Sequence, residues 1–144
     1  MSVTLVTPTD PLVLAAERQR AAADALASVW VSASAGTGKT KVLTDRVLSL
    51  LVTRPDLEPH KILCLTFTRA AAAEMASRVA DRLGRWALSE DDVLNLELES
   101  LLGHPPSERQ LARARQLLAV VLDAPGGMNI LRSEEHTSEL QSRE

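Results

Sequence analysis

Gly36-Thr37-Gly38-Lys39-Thr40 sets two glycines, an ammonium and a hydroxyl within five consecutive residues, the functional groups that a bound polyphosphate requires. In the full stretch Ala33-Ser34-Ala35-Gly36-Thr37-Gly38-Lys39-Thr40, successive backbone N–H groups can converge on phosphate oxygens with a helix N-terminus behind them. Gly36 and Gly38 allow backbone angles and a close approach that a Cβ would obstruct. Lys39 carries charge to the β and γ phosphates, and Thr40 offers its hydroxyl to Mg2+. The strict pattern opens with glycine, whereas Ala33 stands there in this chain. A glycine-rich turn joining strand to helix is the competing reading, but such a turn does not call for Lys39-Thr40.

A second group follows in Thr66-Phe67-Thr68-Arg69-Ala70-Ala71-Ala72-Ala73-Glu74-Met75. Thr66 and Thr68 supply hydroxyls for a nucleic-acid backbone, Arg69 a phosphate partner, and Phe67 a ring that can stack on a base or fill core. Alone the group is ambiguous, since Arg69 also suits a solvated surface and the alanines are good helix formers.

The elements that would position both groups are legible as alternating strands and helices. Thr9-Asp10-Pro11 has the form of a helix start, and 12–27 is Ala-rich without a breaker. Val29-Trp30-Val31-Ser32-Ala33 predicts a buried strand ending at the glycine loop. Leu43, Val47, Leu50 and Leu51 recur at helical spacing over 39–54, and Pro55 ends the run. Ile62-Leu63-Cys64-Leu65-Thr66-Phe67 predicts a second strand, after which Met75, Val79, Leu83 and Trp86 mark one face of a long helix. Capping-box spacings at Ser89/Asp92 and Ser107/Gln110 open two more helices, and Met128-Asn129-Ile130-Leu131 begins a further strand. This βαβα order implies an α/β fold on a parallel sheet.

Of 144 residues 45% are apolar, and only Trp30, Phe67 and Trp86 are aromatic, so an aliphatic core is expected and an aromatic-rich β-sandwich is not. Cys64 is the one cysteine, which excludes an internal disulfide and a thiolate zinc site and suits a cytoplasmic setting. No apolar run approaches the roughly 20 residues of a membrane helix, and residues 1–9 lack a basic signal-peptide start. Cys64 is expected to be an inert thiol, Trp86 core or a domain contact, His60 and His104 loop residues, and 90–99 a solvated acidic helix face.

The polar segment 132–144 lacks hydrophobic periodicity and resembles an in-frame translation of a sequencing adapter, so a non-native tail is expected there. Setting aside Arg132 and Arg143 against Glu134, Glu135, Glu139 and Glu144 changes 16 basic and 19 acidic residues to 14 and 15, a net charge of −1 rather than −3. A nearly neutral chain offers no bulk attraction for nucleic acid, so DNA binding must come from a local site.

Taken together, 33–40 and 66–75 resemble the first RecA-like domain of superfamily 1 DNA helicases of the UvrD/Rep/RecB type. Within it, Trp30-Val31-Ser32-Ala33 through Arg46-Val47 and Leu122-Asp123-Ala124-Pro125-Gly126-Gly127-Met128-Asn129-Ile130 are most similar to the AddA branch of helicase–nuclease proteins. The resemblance covers most of 10–131, accounts for Ala33 at the loop's first position, and implies a truncated RecA-like P-loop NTPase domain over 1–131. It also implies ATP and Mg2+ as cofactors, an AddB-type protein together with single- and double-stranded DNA as partners, and no membrane. Gln19 then matches the family's adenine-reading glutamine, whose amide both donates and accepts, against the plainer reading of a solvated helix residue. Phe67, Thr68 and Arg69 fall in the motif that contacts single-stranded DNA, with Arg69 in place of the commoner Asn.

Hydrolysis further needs a carboxylate near Mg2+, a residue that orients water, and a cation for the transition state. Val120-Val121-Leu122-Asp123 imitates a strand ending in such a carboxylate, but Leu111, Ala114, Leu118 and Val121 favour a helix there. The resemblance implies that these groups, a second RecA-like domain and any nuclease domain lie past Leu131, so that this chain should not unwind DNA and should leave a sheet edge unpaired. Alternatives are another P-loop enzyme, such as a small-molecule kinase or GTPase, or a nucleotide-dependent switch module. No Asn-Lys-x-Asp string of a guanine site occurs.

Overall fold

The computed structural model describes residues 11–30 and 38–132. In chain order they form α1 (Pro11–Ala22), α2 (Lys39–Thr53), a single 3₁₀ turn (Pro59–Lys61), β1 (Leu63–Thr66), α3 (Arg69–Leu88), α4 (Asp91–Leu102), α5 (Glu108–Asp123) and β2 (Asn129–Arg132). The chain is helix-rich with a small parallel sheet, consistent with an α/β fragment. β1 pairs with β2 in parallel, Leu63 opposite Asn129 and Thr66 opposite Arg132, and three helices intervene between the strands.

α3 is the spine of the packing. Its Met75, Val79, Leu83 and Trp86, spaced by three and four residues, are all buried, as the periodicity predicts. They meet Leu48, Leu51 and Val52 of α2, Leu94 and Leu98 of α4, and Ala114 and Leu117 of α5 in one aliphatic cluster around the Trp86 ring. Each fully buried leucine contributes about 1.5–3 kcal/mol by leaving water. α3 also packs across both strands, which places the C-terminal end of β1 directly before the N-terminus of α3.

The helix ends show why the boundaries fall where they do. Ser107 accepts from the Gln110 amide at 3.3 Å while its own amide donates to Gln110 Oε1 at 2.8 Å, the capping box expected for α5. At the other expected box the structure differs: α4 begins at Asp91 after Glu90, and Ser89 instead closes α3, its hydroxyl and its amide both donating to the Arg85 carbonyl. The two-residue link leaves Ser89 to the preceding helix. α1 stops at Ala22 rather than 27, because Asp24 Oδ1 accepts from the Leu26 amide at 2.9 Å and turns the chain. α2 buries Val47, Leu48, Leu51 and Val52, whereas Leu43 is half exposed and Leu50 lies at the margin, so its inward face is rotated from the expected stripe.

Of the strand expected at 29–33, Val29 and Trp30 are exposed and in no strand, Trp30 at 93%, and 31–33 lie outside the described residues. β1 is shorter than 62–67 and only half covered: Leu63 and Leu65 remain about half exposed, while Ile62 is buried and Cys64 partly so. Asp123 is the exposed last residue of α5, so the stretch 120–123 is helical. Among the described residues no helix is long and apolar enough to cross a membrane.

Candidate functional site

α2 starts without a capping side chain. Its N-cap is Gly38, at φ 88° and ψ 19°, and the Val42 amide donates to the Gly38 carbonyl at 3.0 Å as the first turn closes. That left-handed conformation costs a residue with a Cβ about 1–2 kcal/mol, which is the physical reason for glycine at this position. No acidic residue occupies the first turn; Lys39, Thr40 and Lys41 do. Cations at the positive end of a helix dipole are unfavourable unless an anion joins them. Lys41 is balanced by Asp45, Nζ to Oδ2 at 2.6 Å, and the Thr44 hydroxyl donates to the Thr40 carbonyl at 2.8 Å.

Gln19 of α1 is brought to this helix start. Its Nε2 lies 3.4 Å from the point that a Cβ on Gly38 would occupy, so the amide and the end of the glycine loop are in contact range. The structure therefore unites Gln19, Gly38, Lys39 and Thr40. Ala33, Ser34, Ala35, Gly36 and Thr37 lie outside the described residues.

The second group sits in the turn from β1 to α3. Phe67 is 93% exposed, which removes the reading of it as core. Thr68 is the N-cap of α3, its Oγ1 accepting from the Ala71 amide at 3.1 Å, and the Thr66 hydroxyl donates to the Thr68 carbonyl at 3.0 Å. Both hydroxyls that the sequence offers to a nucleic-acid backbone are thus engaged in shaping the turn. Arg69, exposed, is the first residue of α3.

Two arrangements around the site are not readable from spacing. Asp45, 8% exposed, accepts from Arg82 Nη1 at 3.4 Å; Arg82 lies over the Trp86 ring at 5.7 Å; and Trp86 Nε1 donates to Glu97 Oε2 at 2.7 Å. The acidic run predicts a solvated face for Glu97, but it closes a polar chain through α2, α3 and α4. The partners are 37 and 11 residues apart, too far for a helical-spacing argument. Likewise Arg46 of α2 reaches three carbonyls at the end of α1. The nearest sequence signal is the charge pair Asp45-Arg46 in the middle of α2, ahead of the apolar run from Val47. Cys64, partly buried beside α2, has its thiol pushed above the usual cysteine range by desolvation. Among the described residues no group of three His, Cys, Asp or Glu side chains could hold a metal ion.

The start of α2 thus brings together a left-handed glycine, a helix end without a capping side chain and the Gln19 amide. The chain belongs to the UvrD/REP helicase N-terminal domain family, whose profile matches residues 14–137, past Leu131. It is 44% identical over 65 residues to the A-subunit of the ATP-dependent helicase/nuclease of Clostridioides difficile, covering 44% of this chain and 5% of that protein. Over 87 residues it is 42% identical to the protein of the same name from Carboxydothermus hydrogenoformans, covering 60% of this chain and 7% of the relative. To DNA helicase II of Rickettsia typhi it is 46% identical over 66 residues, 46% of this chain and 10% of that protein. The chain thus spans a tenth or less of the length of these curated relatives. No solved structure matches it.

Proposed function

We propose that this chain is the nucleotide-binding part of an ATP-driven DNA helicase and translocase acting in double-strand-break repair, in a longer protein of the AddA type. The observation that carries the reading is the start of α2, where left-handed Gly38 supplies no capping side chain, no carboxylate lies in the first turn and the Gln19 amide stands within contact range. A triphosphate suits such a helix start. The amides of Ala33, Ser34, Ala35, Gly36, Thr37 and Gly38 would cradle it, and Lys39 would hold the β and γ phosphates. Thr40 would hold Mg2+, which when bound neutralises charge on those phosphates. Gln19, already beside Gly38, would read the adenine edge by donating and accepting through one amide.

Phe67 and Arg69 are our candidates for single-stranded DNA, the ring by stacking and the guanidinium by phosphate contact, with Thr68 holding the turn that presents them. The carboxylates and arginines that complete hydrolysis we assign to the remainder of the longer protein. We further assign it a second, AddB-type partner, since two relatives are named as the A-subunit of a helicase/nuclease. We assign 132–144 to a non-native tail on its polar, aperiodic sequence, against a family profile that runs on to residue 137. Titration calorimetry of the chain with Mg-ATP tests the central claim: saturable binding is expected for wild type and none for Lys39→Ala. Equal binding by both proteins would refute it.

A further inference from the structure

α1 carries Gln19, yet among the described residues no buried side chain of its own anchors it. None of its residues is buried, and the first buried side chain, Ala23, comes just after its end. A helix without a buried stripe should drift on its neighbours. One side chain from α2 prevents this: Arg46 Nη1 donates to the Ala22 carbonyl at 3.2 Å and the Asp24 carbonyl at 2.6 Å, and Nη2 donates to the Ala27 carbonyl. These acceptors converge because the Asp24 carboxylate, by accepting from the Leu26 amide, folds the chain back after the last helical turn. The guanidinium fork can serve several carbonyls that a helix end leaves without partners, and its charge lies at the negative end of the α1 dipole.

Position explains what the clamp achieves. Arg46 follows Lys39 by seven residues on α2, two turns and about 10 Å along the same face. On α1, Gln19 precedes Ala22 by three residues, about one turn. Clamping the end of α1 to the second turn of α2 therefore sets the height at which the Gln19 amide meets Gly38. Arg20 adds a second seat, its Cδ lying 2.8 Å from where a Cβ on Gly103 would project at the end of α4. Among the described residues, Arg46 and Arg20 thus seat α1 by polar side chains, with no buried stripe of its own.

We infer that Arg46 is a positioning residue for nucleotide selection, fixing α1 on the loop helix so that Gln19 can discriminate the base. This rests on the adenine-reading role proposed for Gln19. The test compares the 144-residue wild type with Arg46→Met, which keeps an aliphatic stem but loses the fork, using Mg-ATP, Mg-GTP and inorganic tripolyphosphate as probes. ATP affinity should fall about tenfold, the effect of one or two hydrogen bonds to the base, while tripolyphosphate affinity stays unchanged and the preference for ATP over GTP disappears. Gln19→Ala should behave in the same way, and the double variant should be no weaker than Gln19→Ala alone. Arg46→Lys, whose ammonium cannot reach all three carbonyls, should recover only part of the preference. If Arg46→Met does not fold, Asp24→Ala, which opens the turn but spares α2, should show the same selective loss.

An unchanged ATP-to-GTP ratio in the Arg46 or Asp24 variant overturns the inference, as does an equal loss of tripolyphosphate and ATP binding. These outcomes leave the proposed function standing, because the wild type still binds ATP. A wild type that binds none of the three probes removes both.

Discussion

Gly38→Ala separates the conformational role of the loop glycine from its role toward a ligand. Among the described residues the added methyl meets no steric wall, since its nearest neighbour there is Gln19 Nε2 at 3.4 Å, an ordinary contact distance. The cost is in the backbone: φ of 88° asks an L-residue to pay about 1–2 kcal/mol, partly offset by about 0.4–1 kcal/mol of lost freedom in the unfolded chain. A net loss of about 1 kcal/mol corresponds to a fall in Tm of about 2–4 °C for a chain of this size. If the residue escapes by rotating to negative φ, stability recovers but the amides no longer converge on phosphate, so ligand affinity should fall more than stability does. Thermal melts with Mg-ATP at about one hundred times the wild-type Kd make this visible. Binding should add about 2.7 kcal/mol to wild type and, after a tenfold loss of affinity, only about 1.4 kcal/mol to the variant. An ATP-induced Tm shift as large in Gly38→Ala as in wild type would refute the assignment of a phosphate site to this helix start.

Four further outcomes follow from the same geometry. Lys39→Ala should abolish ATP binding with the far-UV circular dichroism unchanged, and a coupled loss of helicity would point to a packing role instead. Arg82→Met should lower stability by about 1–3 kcal/mol, measured by urea midpoint, because it leaves the buried Asp45 with Lys41 alone and removes the cation over Trp86; an unmoved midpoint would show the network to be energetically idle. Phe67→Ala should weaken single-stranded DNA binding by about 1–3 kcal/mol in fluorescence anisotropy without shifting Tm, since the ring buries almost nothing. Alkylation of Cys64 should titrate above the range of a free cysteine, near pH 8.5. Because the folded thiol holds its proton more tightly than the unfolded one, stability is fully present below the unfolded value and declines as pH rises toward the folded one. A midpoint at or below that of a free thiol would contradict the burial.

How much of this was legible depended on whether a partner lay within a helical turn. Met75, Val79, Leu83 and Trp86 could be read as one buried face because a single helix bears them, and the Ser107 box because its two residues bond each other. The end of α1 could not, since the carbonyls of Ala22, Asp24 and Ala27 accept from an arginine 19 to 24 residues onward. The same holds for Glu97, whose acidic run suggests solvent until the indole 11 residues before it is placed alongside. The rotation of the α2 face belongs here too. Leu43 fits an amphipathic template as well as Leu48 does, and only the position of α3 and α5 decides that Leu48 is buried and Leu43 is half exposed.

The site residues were named by chemistry, and their distribution over the fold gives that chemistry a mechanical setting. The loop helix α2 and the helix α3, which begins at Arg69, are joined through Asp45 and Arg82, and α1 is joined to α2 through Arg46. Each junction is polar and makes directional bonds, whereas the aliphatic cluster beneath would tolerate some sliding. A ligand that pulls the start of α2 by its phosphates would therefore act on a helix tied through Arg46 to α1, which carries Gln19, and, through Asp45 almost beside it, to α3, which starts at Arg69 just after Phe67. Removing either tie should leave binding at the other junction intact while uncoupling the two. Measuring ATP affinity with and without single-stranded DNA in Arg82→Met would show this as a ratio falling to one, and a coupling ratio equal to that of wild type would mean that the junction carries stability alone.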